Sequence, residues 1–282
     1  MVGELDVQRE CRESIYSIVN ILRQEVTDRA NEIKNRDKNG TPRNMVLFTA
    51  VPKIVDIARV ITFIRNIRAA DEMQMLLRPM VEMAVNACYL QEVSDEEVQR
   101  FVYFDLINNH TAMLDLENAV GNRFTIPKEL RDRVIKQANE VQTLTGLKLG
   151  SRTWTRVTLF DRASLIDRAV GGFDFAALMA NIYVTGSGYV HGTYKTMERY
   201  RKWIVESEEE HPLHVMYGAT EGMLGVGHVL VALGRYFHNK FGTRRDKIDE
   251  WENELIRISS IALEDYKQHR KRTATTQSSA EQ

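Results

Sequence analysis

Apolar residues recur along this chain every third or fourth position and almost nowhere in strict alternation, the periodicity of helices rather than strands. Over residues 4 to 38, Leu5, Ile15, Ile18, Val19, Leu22 and Val26 fall at helical intervals, and NRDKNGTP with Gly40 and Pro42 closes the segment as a turn. A second helix is predicted over about 44 to 70, kinked near Pro52. DEMQ opens a third, with Asp71 as N-cap and Gln74 three residues on, and places Met73, Leu77, Met80, Ala84 and Ala87 on one side. Ser94 and Glu97 repeat that spacing at the start of a fourth helix, which reaches about Val120. Pro127 suits the first residue of a fifth, ending near Leu144. Residues 146 to 156 carry no period; shorter helices follow over 159–170 and 174–190. After the acidic ESEEEH and Pro212 come a glycine-rich helix over about 214–240 and a charged one over about 245–270.

No repeat appears at solenoid spacing. The pattern predicts an all-α fold, a single bundle of about eight to ten helices. Residues 1–42 read as an N-terminal helical extension, 43–272 as the bundle and 273–282 as a disordered tail.

Composition narrows the function classes. The 282 residues carry a formal net charge of -1, so bulk electrostatics do not make a polyanion binder and any nucleic-acid surface must come from local clustering. Cys11 and Cys88 lie far apart, without metal-ligand spacing, which suits a reducing compartment. MVGELDVQRE carries acids and no apolar stretch, unlike a signal peptide, and the longest apolar run, 223–233, is about half of what a membrane span needs. These features predict a soluble cytoplasmic protein with no membrane partner. Neither HExxH, P-loop, nucleophile elbow nor cysteine cluster occurs, so no metal and no cofactor is expected.

Two stretches carry candidate chemistry. In LLRPMVEMAVNACYL, Arg78 and Glu82 are four apart and therefore neighbours on one helix face, in apolar company. One reading is a partly buried structural ion pair; the other is an arginine held by Glu82 and presented to an anion such as phosphate, with Pro79 aiming it. In TGSGYVHGTY, Ser187 and His191 share the same spacing, and Gly186, Gly188 and Gly192 leave open space beside them. Glycines cost a helix about 1 kcal/mol each, so three in seven residues call for a local reason. Either two helices cross closely there, or His191 works as a general acid or base, with Lys195 and Arg199 supplying positive potential.

The motif combination R-x-x-x-E (Arg78, Glu82) and, about a hundred residues later, Y-x-x-x-S-x-x-x-H (Tyr183, Ser187, His191) resembles a bacterial family of helical proteins of unknown function, over roughly residues 45 to 200. More loosely, both stretches resemble the HEPN superfamily of helical nucleotide-binding and ribonuclease domains, whose motif is R-x(4–6)-H on one helix. Here Val184, Thr185 and Gly186 stand where that arginine would be, so the resemblance implies that Arg78 comes in from another helix.

The remaining features are less specific. Between Lys148 and Arg168 five bases face two acids, with Trp154 amid them. Arg152, Trp154 and Arg156 would grip and stack single-stranded nucleic acid, unless the tryptophan caps the core. The apolar helix with Gly218, Gly222 and Gly225 offers a seam for close helix approach, within the chain or across a homodimer. His228 reads as a core histidine, and EEEHPLH as a solvated acidic loop rather than a metal site. Two functions follow as expectations. The first is an HEPN-like nucleic-acid-directed effector, a metal-independent ribonuclease of a toxin or phage-defence setting, with His191, Arg78, Glu82 and Ser187 as its catalytic set. The second is a non-catalytic module that binds a nucleotide or assembles a protein partner.

Overall fold

The computed structural model describes residues 2–36, 40–64, 70–121, 125–172, 174–184, 211–243 and 247–280; for 2–5, 70, 211–215 and 273–280 it describes the backbone alone. Nine α-helices and no strand occur among them: α1 (Val2–Arg36), α2 (Pro42–Phe63), α3 (Ala70–Tyr89), α4 (Asp95–Val120), α5 (Lys128–Thr145), α6 (Leu159–Val170), α7 (Asp174–Leu178), α8 (His211–Phe241) and α9 (Ile248–Ala280). The all-α expectation holds. A π-helical turn, Met179–Tyr183, continues α7.

α8 is the axis of the core. From Met216 to Phe237 it buries side chains on every face but one, the line of Tyr217, Glu221, His228 and Arg235. α1, α3 and α9 pack directly on it. Its glycines set how closely. A β-carbon on Gly222 would stand 3.0 Å from the Met73 β-carbon, one on Gly225 2.8 Å from a Leu77 methyl, and one on Gly227 2.7 Å from a Leu255 methyl. Gly222 and Gly225 therefore admit α3, and Gly227 admits α9. The seam read as a dimer surface is filled from within the chain.

Two boundaries differ from expectation. The first helix is no extension: Ile15, Val19, Leu22 and Val26 are fully enclosed in the same core as α8, because an apolar stripe of that length needs a partner and α8 offers one. The Gln8 amide, 0 % exposed, donates to the Ala262 carbonyl at 2.8 Å and to Asp265 at 2.7 Å, tying α1 to α9. The tail expected to be disordered from residue 273 continues α9 to Ala280. Extending an existing helix needs no new nucleus, so weak formers can propagate it.

Caps follow local chemistry. Ser94 accepts the Glu97 N–H and Thr158 the Asp161 N–H, and Gly146 ends α5 in the left-handed region at φ 68°. Asp71, by contrast, sits inside the first turn of α3, so it is not the cap. Pro212 fits the first turn of α8, where its missing N–H has no helical partner to lose. α4 and α5 form a hairpin with a small core of its own, Ile107, Ala138, Val141 and Leu147.

Candidate functional site

α3 separates its side chains by face. Met73, Leu77, Met80, Val81, Ala84 and Val85 are buried, whereas Arg78, Glu82 and Asn86, spaced by four, form a half-buried polar stripe. The stripe faces α6 and the end of the π-helical turn.

That turn owes its position to one carboxylate. Asp167, near the end of α6 and 4 % exposed, accepts the N–H of Phe175 at 3.0 Å and of Ala176 at 2.8 Å, satisfying two of the orphan donors at the start of α7. Burial raises its carboxyl above the ordinary value, and these two hydrogen bonds oppose the shift. From there α7 widens into Met179–Tyr183, which buries Met179 and Ile182 and turns Tyr183 towards α3. Single π turns inside helices mark functional sites often enough to be noted where one occurs.

Arg78 meets Tyr183. Its guanidinium carbon lies 5.1 Å from the ring centroid, within cation–π range, and Nη2 is 3.5 Å from the phenol oxygen, a long contact that adds little. Arg78 of the R-x-x-x-E helix is thus brought to Tyr183, the first residue of the Y-x-x-x-S-x-x-x-H segment, across 105 residues of sequence. Ser187, His191, Lys195 and Arg199 follow Tyr183 in sequence and lie outside the described residues.

A second arginine, which motif reasoning passed over as one base among five, belongs to the same place. Arg162 of α6 is 9 % exposed, donates from Nε to the Val157 carbonyl at 3.1 Å and from Nη1 to Asn86 Oδ1, and covers the Trp154 ring at 4.8 Å. Burial lowers its pKa; Tyr89, Glu82, Glu97 and Tyr183 pull the other way. Arg162 therefore shares its electrostatic surroundings with Glu82 and Tyr183, one residue from each of the two motifs. The signal was present: Leu159, Arg162, Ala163 and Ile166 follow the i, i+3, i+4, i+7 pattern, with the arginine in an apolar slot.

The expected nucleic-acid loop does not hold as a set. Trp154 is 7 % exposed and packs on Tyr89 and edge-on to Phe101, with ring centroids 5.9 and 5.0 Å away. Its ring plugs the core and is withdrawn from any base. Arg152 and Arg156 remain exposed, and Arg152 pairs with Asp115 at 3.2 Å. No group of three or more His, Cys, Asp or Glu side chains suited to a metal occurs among the described residues. No helix among them is long and apolar enough to cross a membrane.

The model of DUF5677, a family of unknown function, matches residues 44–211, more than half of the chain. The chain belongs to DUF5677. The match covers α2 through the π-helical turn and on to the first residue of α8, so the Arg78–Tyr183 contact and Arg162 fall inside it, while α1, α9 and nearly all of α8 fall outside. No curated protein and no solved structure matches the chain.

Proposed function

We propose that the polar face of α3 is an anion site for RNA and that this DUF5677 chain is a metal-independent, HEPN-like ribonuclease of a toxin or phage-defence setting. The observation that carries the reading is the contact of Arg78 with Tyr183, the first residue of the second motif, at one end of the π-helical turn. Arg78 stabilises the phosphate, Glu82 positions Arg78, and Ser187 holds His191. His191 takes the proton of the ribose 2′-hydroxyl as the 2′ oxygen bonds to phosphorus, and returns a proton to the 5′ oxygen as the P–O5′ bond breaks. The product carries a 2′,3′-cyclic phosphate. The setting is the cytoplasm, where Cys11 and Cys88, both free and buried, stay reduced.

The second reading, a module that holds a nucleotide phosphate or assembles a protein partner without cleaving, draws on the withdrawal of Trp154 into the core, which leaves the loop little grip on a strand. The homodimer expected alongside the first reading loses its glycine seam at Gly222 and Gly225, because α3 occupies it there.

One experiment separates the two. The protein is incubated with tRNA and a single-stranded RNA pool in EDTA, beside His191→Ala and Arg78→Ala variants of unchanged helical content. Cleavage to cyclic-phosphate ends by the parent alone supports the ribonuclease; intact RNA in all tubes, with Arg78-dependent nucleotide binding, supports the module; neither activity removes both.

A further inference from the structure

Among the described elements α5 packs chiefly on α4, which in turn leans on α2. The hairpin has only its own small core, and one side of it stays apolar and open. On α4, Val102, Leu106, Asn109, Met113 and Leu116 follow at steps of four, three, four and three. On α5, Leu130, Val134, Gln137, Val141 and Leu144 repeat those steps. This is the alternation of a coiled-coil seam.

The two stripes share one side of the hairpin. Each is turned in the same rotational sense from the line along which the helices meet, marked by Ile107 on α4 and Ala138 on α5, and in an antiparallel pair equal senses lie together. Arg100 Nε donates to the Thr145 carbonyl at 3.1 Å, and Arg131 pairs with Glu117 at 2.9 Å. These bonds level Val102 with Leu144, Asn109 with Gln137, and Leu116 with Leu130. The four apolar end residues are 41 % to 58 % exposed, and both amides between them are exposed.

The order of polarity names the occupant. Each stripe reads alike in both directions, VLNML and LVQVL, two apolar residues either side of an amide. A two-fold axis through the amides lays each stripe, reversed, on its own copy. Val102 then meets the partner's Leu116, and Leu130 the partner's Leu144. Asn109 and Gln137 each face themselves, an amide donor to an amide acceptor, and a polar residue so placed in a seam fixes its register. Charge obeys the same axis. Arg133 and Glu140, exposed at nearly equal spacing either side of Gln137, come opposite the partner's Glu140 and the partner's Arg133. Glu140 lies 4.0 Å from Lys136, but the two side chains are 64 % and 78 % exposed, and such a pair holds it weakly.

We propose that this face joins a second copy of the chain, two α4–α5 hairpins closing an antiparallel four-helix bundle about an axis through Asn109 and Gln137. The inference does not rest on the ribonuclease reading, and its surface lies away from the glycines of α8.

Sedimentation equilibrium of the full chain tests it. The parent has twice the chain mass of 32.5 kDa and dissociates at about micromolar concentration. Leu144→Glu, at an exposed position, weakens the dimer by about tenfold or more with helical content unchanged. Arg133→Glu and Glu140→Arg each weaken it about threefold, and the double exchange recovers the parent's value. Gln137→Cys, on the axis, links to its own copy under mild oxidation, whereas Asn139→Cys, on the opposite edge of α5, does not; Cys11 and Cys88 are buried and do not compete. A single-chain mass for the parent up to about 0.1 mM overturns the proposal and leaves the face to a different partner or to solvent. A dimer that folded Leu144→Glu leaves intact, or a charge exchange that recovers nothing, places the contact elsewhere and overturns it too.

Discussion

The two faces of α3 obey different rules. Its apolar face meets the glycines of α8 at distances where a single added carbon forces a neighbour to shift, and it involves only dispersion and burial. Its polar stripe meets α6 and the π-helical turn through arginines, an asparagine, a carboxylate and a tyrosine, each with a geometric preference. The first face fixes where α3 lies; the second uses that position. If so, substitutions on the stripe should alter function and leave stability nearly intact, while those on the seam should do the reverse.

The largest effect is expected on the stripe. Arg78→Ala should lower RNA cleavage by about 10²-fold or more in single-turnover assays, the usual loss when one transition-state donor is removed. The lost cation–π contact with Tyr183 should cost about 1 kcal/mol in urea unfolding. A stability loss large enough to explain the inactivity would erase the distinction between the faces.

On the seam, Gly222→Leu should destabilise by about 1–3 kcal/mol, measured as a shift in urea midpoint, because overpacking here presses on the Met73 β-carbon, which cannot rotate away. Gly222→Ala and Gly225→Ala sharpen the point. Alanine at Gly225 meets a Leu77 methyl that a rotamer change can move, and the gain in helix propensity of about 1 kcal/mol offsets part of the strain. Gly222→Ala should therefore be the more destabilising of the two.

Asp167→Ala tests the link that places Tyr183. Two N–H groups of α7 lose their acceptor, at a cost of about 1–2 kcal/mol. Hydrogen exchange should quicken over residues 174–184 before any other helix. Uniform loosening of the bundle would mean that Asp167 supports the whole fold and not this turn.

His228 predicts a pH effect with a definite sign. Its folded pKa is depressed by burial, so the neutral form is favoured by folding. Above the unfolded value of about 6.5 both states are neutral and the stabilisation is complete. As pH falls through that value the unfolded chain takes up a proton that the folded chain resists, and stability declines. The groups bearing on the imidazole are Glu252 of α9 and Asp174 of α7, with Glu221 of its own helix lining one cleft with it. In urea titrations between pH 7.5 and 5, His228→Gln should show a shallower loss than the parent; an equal slope would assign the decline to other groups. The smallest effect belongs to Tyr183→Phe. It keeps the ring under Arg78 and removes only a 3.5 Å contact, so cleavage should fall by less than about threefold, well short of Tyr183→Ala.

What the sequence determined by itself was local. The helix over 159–170, the Ser94 cap and the end of α5 near Leu144 were legible because caps and periodicity depend on residues within one or two turns. The pairing of Arg78 with Tyr183 was not legible: the resemblance named both motifs, but nothing in either segment names its partner. Tertiary structure decided the rest. Trp154 and Arg162 share one basic, aromatic stretch with Arg152 and Arg156, and only the packing of α3 and α6 settled which side chains go inside. The glycines of α8 announced a close neighbour, but only the packing of α3 on Gly222 and Gly225 and of α9 on Gly227 showed that it comes from within the chain. Burial is a property of the whole chain; capping and periodicity are properties of a few neighbours along it.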